Sequence, residues 1–367
     1  MSKPANIPIF VPHLGCPHDC VFCNQKKITG QGHEINKADV IREIEACLKT
    51  MKGKRYPIEV AFFGGSFTGI DEKKQNQYLE IARRYLHDGH IHGIRLSTRP
   101  DYISEEIVER LIEYGVTTIE LGVQSLDESV LRASNRGHSL LDVHRAVGII
   151  KALGRREGTH LKLGLQMMIG LPEDSIDKAK HTAHEIISLK PDFVRIYPTV
   201  VIKDTELEAL YESGHYRAMT VDVATDWLSE LMPIFTSSGV PIIRVGLQPT
   251  DALTNGGDMI AGAYHPSMRQ LAQAKIIRNH LVNRIERSLK KLPIIKGRRV
   301  TVRLSANSRD WTPFRGEKAC NFEFLKTSFP DLDFEFAIND ALKRGMADVE
   351  IRVDSKTYKE SMELSDL

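Results

Sequence analysis

The chain has 367 residues, 41% of them hydrophobic, and a formal net charge of +2. That is enough apolar material for a large core and more than one domain. No stretch approaches the ~18 consecutive apolar residues of a membrane span, and the balanced charge gives no whole-molecule case for nucleic acid.

The first strand candidate is Ile7–Val11. The N-terminal run around it is broken by Pro8 and Pro12 and reads as a strand, not as a signal peptide. Next comes a loop, Cys16-Pro17-His18-Asp19-Cys20-Val21-Phe22-Cys23, with three and then two residues between its thiols. The chain has five cysteines in all, an odd number. Clustered thiols in a long chain without a leader do not form a disulfide framework; they point to metal or redox chemistry in a reducing, cytoplasmic setting. A [4Fe-4S] cubane normally takes four thiolates. Three ligands leave one iron open to a substrate, as catalytic zinc sites keep one open position. The alternative is a Cys3His zinc site using His13 or His18, although zinc sites more often pair two C-x2-C units. Cys47 and Cys320 read as packing residues.

Asn36 is placed to cap a helix whose apolar positions are Val40, Ile41, Ile44, Cys47, Leu48 and Met51. Strand Ile58–Phe63 is followed by Gly64-Gly65-Ser66, and strand Ile91–Ser97 runs into Ser97-Thr98-Arg99. Ser104 caps a helix with Ile107, Val108, Leu111 and Ile112 inward, and Gly115 ends it. Strand Thr118–Val123 is followed by Gln124-Ser125. Strand Leu161–Ile169 holds Gln166, a buried amide that needs partners, which a ligand could supply. A helix runs from about Asp174 to Leu189 and stops before Pro191. Strand Phe193–Pro198 ends with Tyr197 near its tip, and Pro241–Val245 is the last of the series.

Repeated β-α units imply a parallel sheet with right-handed crossovers. Five strands place polar or glycine residues at the same end. This favours an α/β fold, a full or partial (β/α) barrel with one site at its mouth. The barrel is expected over residues 1–263. From Tyr264 to Leu292 the pattern is one long basic helix or helix pair, within a connector over 264–298. Strand patterns Arg299–Leu304, Leu332–Phe336 and Val349–Val353, with a helix near Cys320–Thr327, make a small α+β domain over 299–367. Between Arg269 and Arg303 lie eleven Lys or Arg and one acid, Glu286. Such a run fits phosphate binding by counterion release.

The cysteine loop resembles the cluster motif of radical S-adenosylmethionine (SAM) enzymes. Arg195–Leu207 (RIYPTVVIKDTEL) and Ala263–Leu271 (AYHPSMRQL) resemble segments of the catalytic subunit of Elongator, a radical SAM enzyme that modifies the wobble uridine of tRNA. Leu96–Asp101 and Leu121–Asp127 are similar both to that family and to the oxygen-independent coproporphyrinogen III oxidases. The resemblance covers roughly residues 7–290. It implies a [4Fe-4S] cluster on Cys16, Cys20 and Cys23, SAM as the second cofactor, and an electron donor such as flavodoxin or ferredoxin. It also implies SAM contacts at Phe22, Gly64, Gly65, Ser66, Ser97, Gln124, Arg136, Gln166 and Tyr197. Ser66 stands where the family often has Glu, and Ser97 where the oxidases have an acid. The chain ends about seventy residues after its basic run, so an acetyltransferase-like domain, and with it acetyl-CoA, is not implied.

Three functions are weighed. An RNA-modifying radical SAM enzyme, acting on tRNA through Arg269–Arg303, uses all of these features. A radical SAM enzyme acting on a tetrapyrrole or other small molecule leaves the basic run unexplained. A non-catalytic metal- and RNA-binding module has no need of polar residues at successive strand ends.

Overall fold

Short runs of β-branched and aromatic residues, punctuated by glycine, proline and helix caps, become strands wherever helices can cover one of their faces. A computed structural model describes residues 5–11, 20–24, 35–53, 56–248, 257–291, 299–354 and 356–364. Cys16, His13, His18, Lys296 and Arg298 lie outside the described residues. The strands are β1 (Ala5–Phe10), β2 (Ile58–Phe63), β3 (Gly93–Thr98), β4 (Val116–Gln124), β5 (Lys162–Ile169), β6 (Phe193–Pro198), a short β7 (Val200–Ile202) and β8 (Ile242–Val245). All except β7 join one parallel sheet in the order β1-β2-β3-β4-β5-β6-β8. Among the described residues β1 and β8 are its two edges, so it is a partial barrel and not a closed one. β7 instead pairs antiparallel with β9 (Met259–Gly262).

Capping side chains fix where the helices begin. Asn36 accepts from the amides of Ala38 and Asp39, while the Asp39 carboxylate accepts from the Asn36 amide, so helix Lys37–Met51 starts with a capping box. Ser104 accepts from the Ile107 amide, and helix Glu105–Glu113 runs out at Gly115, whose φ of 83° is left-handed. Ser175 caps helix Ile176–Ser188.

The chain divides into two compact units, 1–221 with 240–266, and 222–239 with 267–367. The second holds a four-stranded sheet, β10 (Val300–Ala306), β11 (Leu332–Ile338), β12 (Met346–Val353) and β13 (Lys356–Glu363), in the order β11-β10-β12-β13. The helix Met268–Lys290 sets Ile277, Leu281 and Ile285, spaced four apart, into one core with Val302, Leu304, Phe314, Leu325 and Val349. The described part of the expected 264–298 connector is therefore not a spacer. Its apolar stripe belongs to the small domain, and the helix Val221–Ser237 groups with that unit as well.

In the large sheet the faces alternate with period two. Val60, Phe62, Leu96, Leu121, Leu165 and Ile196 are wholly buried on the outer, apolar face. The inner face carries Glu59, Arg95, Ser97, Glu120, Gly122, Gln166, Arg195, Tyr197 and Arg244. A charge on an inner strand position needs a counter-charge, and Glu120 supplies it. The Arg95 Nη1 lies 2.7 Å from its Oε1, and the Arg195 Nε and Nη2 lie 2.6 and 2.9 Å from its two oxygens. Gln166 Nε2 donates to Oε2 at 2.8 Å, and Arg95 also reaches Glu59 at 2.7 Å. The guanidiniums stack on rings, Arg195 on Phe63 and Arg95 on Phe193.

Burial pushes the Glu120 carboxyl up, but Arg195 and Arg95 overcome it and hold it below the usual carboxylate range. A depressed folded pKa gives stability that is present above the unfolded value of about 4 and lost as pH falls through the folded value. Glu120→Gln should therefore cost about 3–5 kcal/mol at neutral pH, because two buried guanidiniums lose their shared counter-charge. Urea unfolding of both proteins across pH checks this. The gap between them should narrow as the solution is acidified below the carboxylate range; a gap that does not change with pH contradicts it.

Candidate active site

The sheet's C-terminal edge collects the loops that follow each strand. β1 leads to the cysteine run, of which Cys20 through Asn24 are described. The Cys23 amide donates to the Cys20 carbonyl at 2.9 Å, so the two cysteines share one tight turn. Val21 anchors that turn from both sides. Its amide donates to the Ser134 carbonyl, beyond β4, at 3.2 Å, and its carbonyl accepts from the Leu207 amide, beyond β7, at 2.7 Å. The Val21 side chain is buried with Val201, Leu207 and Tyr216. Phe22 packs against the same cluster and shields it from solvent. Among the described residues no group of three Cys, His, Asp or Glu is arranged to hold a metal ion; the third thiol of the run, Cys16, lies outside them. Cys20 is buried and Cys23 half-buried. Cys47 is half-buried and donates to Glu43 within its own helix. Cys320, expected to pack, is instead exposed at the start of helix Cys320–Ser328.

The strand ends place the other expected residues unequally. Gly64 and Gly65 sit at φ of 86° and 40°, where a side chain would be strained and where bare backbone can approach a ligand. Ser66 does not reach the mouth. It is wholly buried, and its Oγ bonds Thr98 Oγ1 at 2.8 Å and accepts from the Arg99 amide at 3.2 Å, bracing β2 against β3. Ser97 and Gln166 lie on the inner face 3.4 Å apart, with the Gln166 amide donated to Glu120. The half-buried Gln166 amide thus has a carboxylate partner within the chain. Tyr197 lies beside Arg195; burial raises its phenol, against the guanidinium.

Gln124 and Arg136 are the unusual pair. Gln124 occupies a bulge between β4 and β5 with φ at +68°, and its buried Oε1 has no hydrogen-bond partner among the described residues. A strained backbone holding an unsatisfied acceptor is the kind of feature that a bound molecule completes. Arg136 turns back toward the thiols: Nη1 lies 3.3 Å from Cys20 Sγ, and Nη2 donates to the Gly122 carbonyl at 2.8 Å. A Cβ at Gly122 would sit 3.0 Å from both Arg136 Nη2 and Gln124 Nε2, so a side chain there would press on the ends of both. Arg136 also lines a cavity of about 480 Å³ with Arg132, Glu128 and His138. His138, which the sequence reading passed over, is buried; desolvation, with Arg136 and Arg99 nearby, pushes its imidazole down to about 3. It is neutral at any physiological pH. Two thiols on one turn, a buried cation on one of them, bare backbone at Gly64-Gly65 and an unsatisfied amide oxygen fit a thiolate-bound cluster with a polar, zwitterionic cofactor beside it.

In the basic run, the fold brings acids from elsewhere to cations that stand alone in the sequence. Lys275 pairs with Asp226, Arg284 and Lys291 with Glu360, and Arg299 with Asp333. Arg303 stands in register between Glu335 and Glu350, and Arg278 stacks on Phe324. Arg287 and Lys290 keep exposed positions, with no ion pair found among the described residues.

The sequence matches the radical SAM superfamily over residues 10–186 and the radical SAM C-terminal domain over residues 191–278. It is 29% identical over 251 residues to an uncharacterised protein of Methanocaldococcus jannaschii, covering 63% of this chain and 73% of that one. It is 26% identical over 269 residues to a tRNA uridine(34) acetyltransferase of Methanocaldococcus infernus, covering 62% of this chain and 49% of that one. The chain thus spans about half the length of that relative. The fold is similar to that of the archaeal Elp3 of M. infernus with an N-terminal deletion, with a TM-score of 0.58 and 18% identity over 96% of this chain and 75% of that one. No helix among the described residues is long and apolar enough to cross a membrane. With the family's core and its C-terminal domain matched one after the other along the sheet that bears the cysteine turn, the chain belongs to the radical SAM superfamily.

Proposed function

We propose that this radical SAM enzyme modifies RNA, with tRNA as its substrate, and that Cys16, Cys20 and Cys23 hold its [4Fe-4S] cluster. The observation that carries the cluster assignment is the turn in which Cys23 bonds back to Cys20 while Val21 is tied to the end of helix Glu128–Ala133 and to the start of helix Glu206–Glu212. Thiols held this way are presented together at the sheet's C-terminal edge, where parallel-strand enzymes keep their chemistry. When bound, the cluster and SAM supply a 5′-deoxyadenosyl radical by one-electron cleavage of the sulfonium. The chain's own residues position and shield. Gly64 and Gly65 let backbone approach the cofactor, Gln124 offers it an acceptor, and Phe22 with Val21 closes the thiol turn to water. Ser97, Gln166 and Tyr197 form the inner surface beneath it. A low-potential flavin or iron–sulfur protein, such as flavodoxin or ferredoxin, delivers the electron, and clustered cluster-binding thiols suit the reducing cytoplasm.

Support for RNA comes from two sides. The acetyltransferase relative is named for tRNA uridine 34. Arg287 and Lys290 remain uncompensated on the basic helix, and Lys296 and Arg298 follow it in sequence. Four cations are enough for charge-driven contact with a phosphate backbone, and that contact carries no sequence information.

Two outcomes are expected. Anaerobic reconstitution should give one [4Fe-4S] cluster per chain, read as iron, sulfide and visible absorption. Cys20→Ala or Cys23→Ala should abolish it, while Cys47→Ala and Cys320→Ala leave it in place; stoichiometric zinc without iron would remove the assignment. Gel shifts against total tRNA at several salt concentrations should show binding that weakens steeply with salt. The double change Arg287→Gln, Lys290→Gln should lower the log–log slope by roughly 1.5–2. Lys291→Gln with Arg299→Gln, where both cations already have acidic partners, should lower it less. No binding at low salt would favour a small-molecule substrate instead.

A further inference from the structure

Arg136 is 6% exposed, and no carboxylate lies within ion-pair distance of it among the described residues. A buried guanidinium without a counter-ion is costly, so it persists only where something anionic sits beside it. Within its reach, 3.3 Å from Nη1, lies the Cys20 sulfur, which carries thiolate charge when it ligates a cluster. The other arm of the fork, Nη2, is spent on the Gly122 carbonyl of β4. The two donors point apart along a planar frame that lysine lacks. The neighbouring imidazole of His138 adds no second charge.

On the strength of the cluster assignment above, we infer that Arg136 is a positioning residue for the iron–sulfur cluster: it fixes the Cys20 sulfur against β4 and, through that charge-assisted hydrogen bond, raises the cluster's reduction potential. Its sequence resemblance pointed to a SAM contact; here two of its donors are already engaged within the chain. One electron passes from the low-potential donor protein to the cluster, which goes from the 2+ to the 1+ state with no proton transferred. The added negative charge is stabilised by a buried cation one hydrogen bond away. Hydrogen bonds to cluster sulfurs set potential in this way.

The test is an EPR-monitored redox titration of reconstituted protein without SAM, comparing wild type, Arg136→Lys and Arg136→Gln, with iron counted in each. Arg136→Gln should lower the ratio of reduced to oxidised cluster about tenfold at a fixed potential, equivalent to about 59 mV for one electron. Arg136→Lys keeps the charge but cannot span Cys20 and Gly122 together, and should fall between. A second measurement needs no variant. Wild type labelled with 15N only in arginine should show a 15N coupling to the reduced cluster in pulsed EPR. Absence of that coupling overturns the inference even if both variants fail to hold iron. Unchanged midpoints with weakened SAM binding also overturn it and return Arg136 to a SAM contact. A wild type that binds no iron overturns the inference together with the cluster assignment; the other failures leave that assignment standing.

Discussion

The buried Glu120 carboxylate is the interaction on which the large sheet depends. Parallel strands covered by helices on one face usually carry apolar residues throughout. Here the inner face carries Arg95 and Arg195, and neither can stay there unpaired. Glu120, wholly buried on β4, receives both guanidiniums and the Gln166 amide, and so links β3, β4, β5 and β6 across one layer. Arg95 extends the chain of contacts to Glu59 on β2. Such a network is a poor source of net stability but a strong constraint on register, since slipping any strand by one residue would bury a charge among apolar helices.

A fixed register makes the strand ends reliable platforms. The bulge at Gln124, the left-handed backbone of Gly64 and Gly65, and the packing of Arg136 over Gly122 depend on where β2 and β4 stop. Val21 is held by the helices that follow β4 and β7, at the Ser134 carbonyl and the Leu207 amide, and so fixes the cysteine turn. Order in the polar layer below is thus converted into placement of the thiols above, and a backbone strained at one point is held by rigid elements around it.

The strands of the large sheet, the caps at Asn36 and Ser104, the glycine pair and the cysteine run were all legible, because each is a local pattern of period, cap or spacing. What could not be read was pairing at a distance. Nothing within the sequence near Lys275, Arg284, Lys291 or Arg299 announces Asp226, Glu360 or Asp333, so the fold pairs four cations of the run that stand alone in the sequence. The same limit hid the burial of Ser66 against Thr98 and the reach of Arg136 to Cys20, which lies 116 residues away. Three strands were missed for local reasons. β7 and β9 are only three and four residues long, and β13 (KTYKESME) lacks a clean apolar alternation. Glu120 and Arg95 did carry a signal, a charge in the middle of an apolar strand, which asks for a partner before any ligand is invoked.

In the proposed function the thiol turn is a catalytic element and not a structural clip. The most direct measurement is the formation of 5′-deoxyadenosine from SAM by the anaerobically reconstituted protein under dithionite. The account predicts 5′-deoxyadenosine and methionine in equal amounts from the wild type, and none from Cys23→Ala at equal protein. Intact SAM with an iron-loaded, reduced wild type would contradict it.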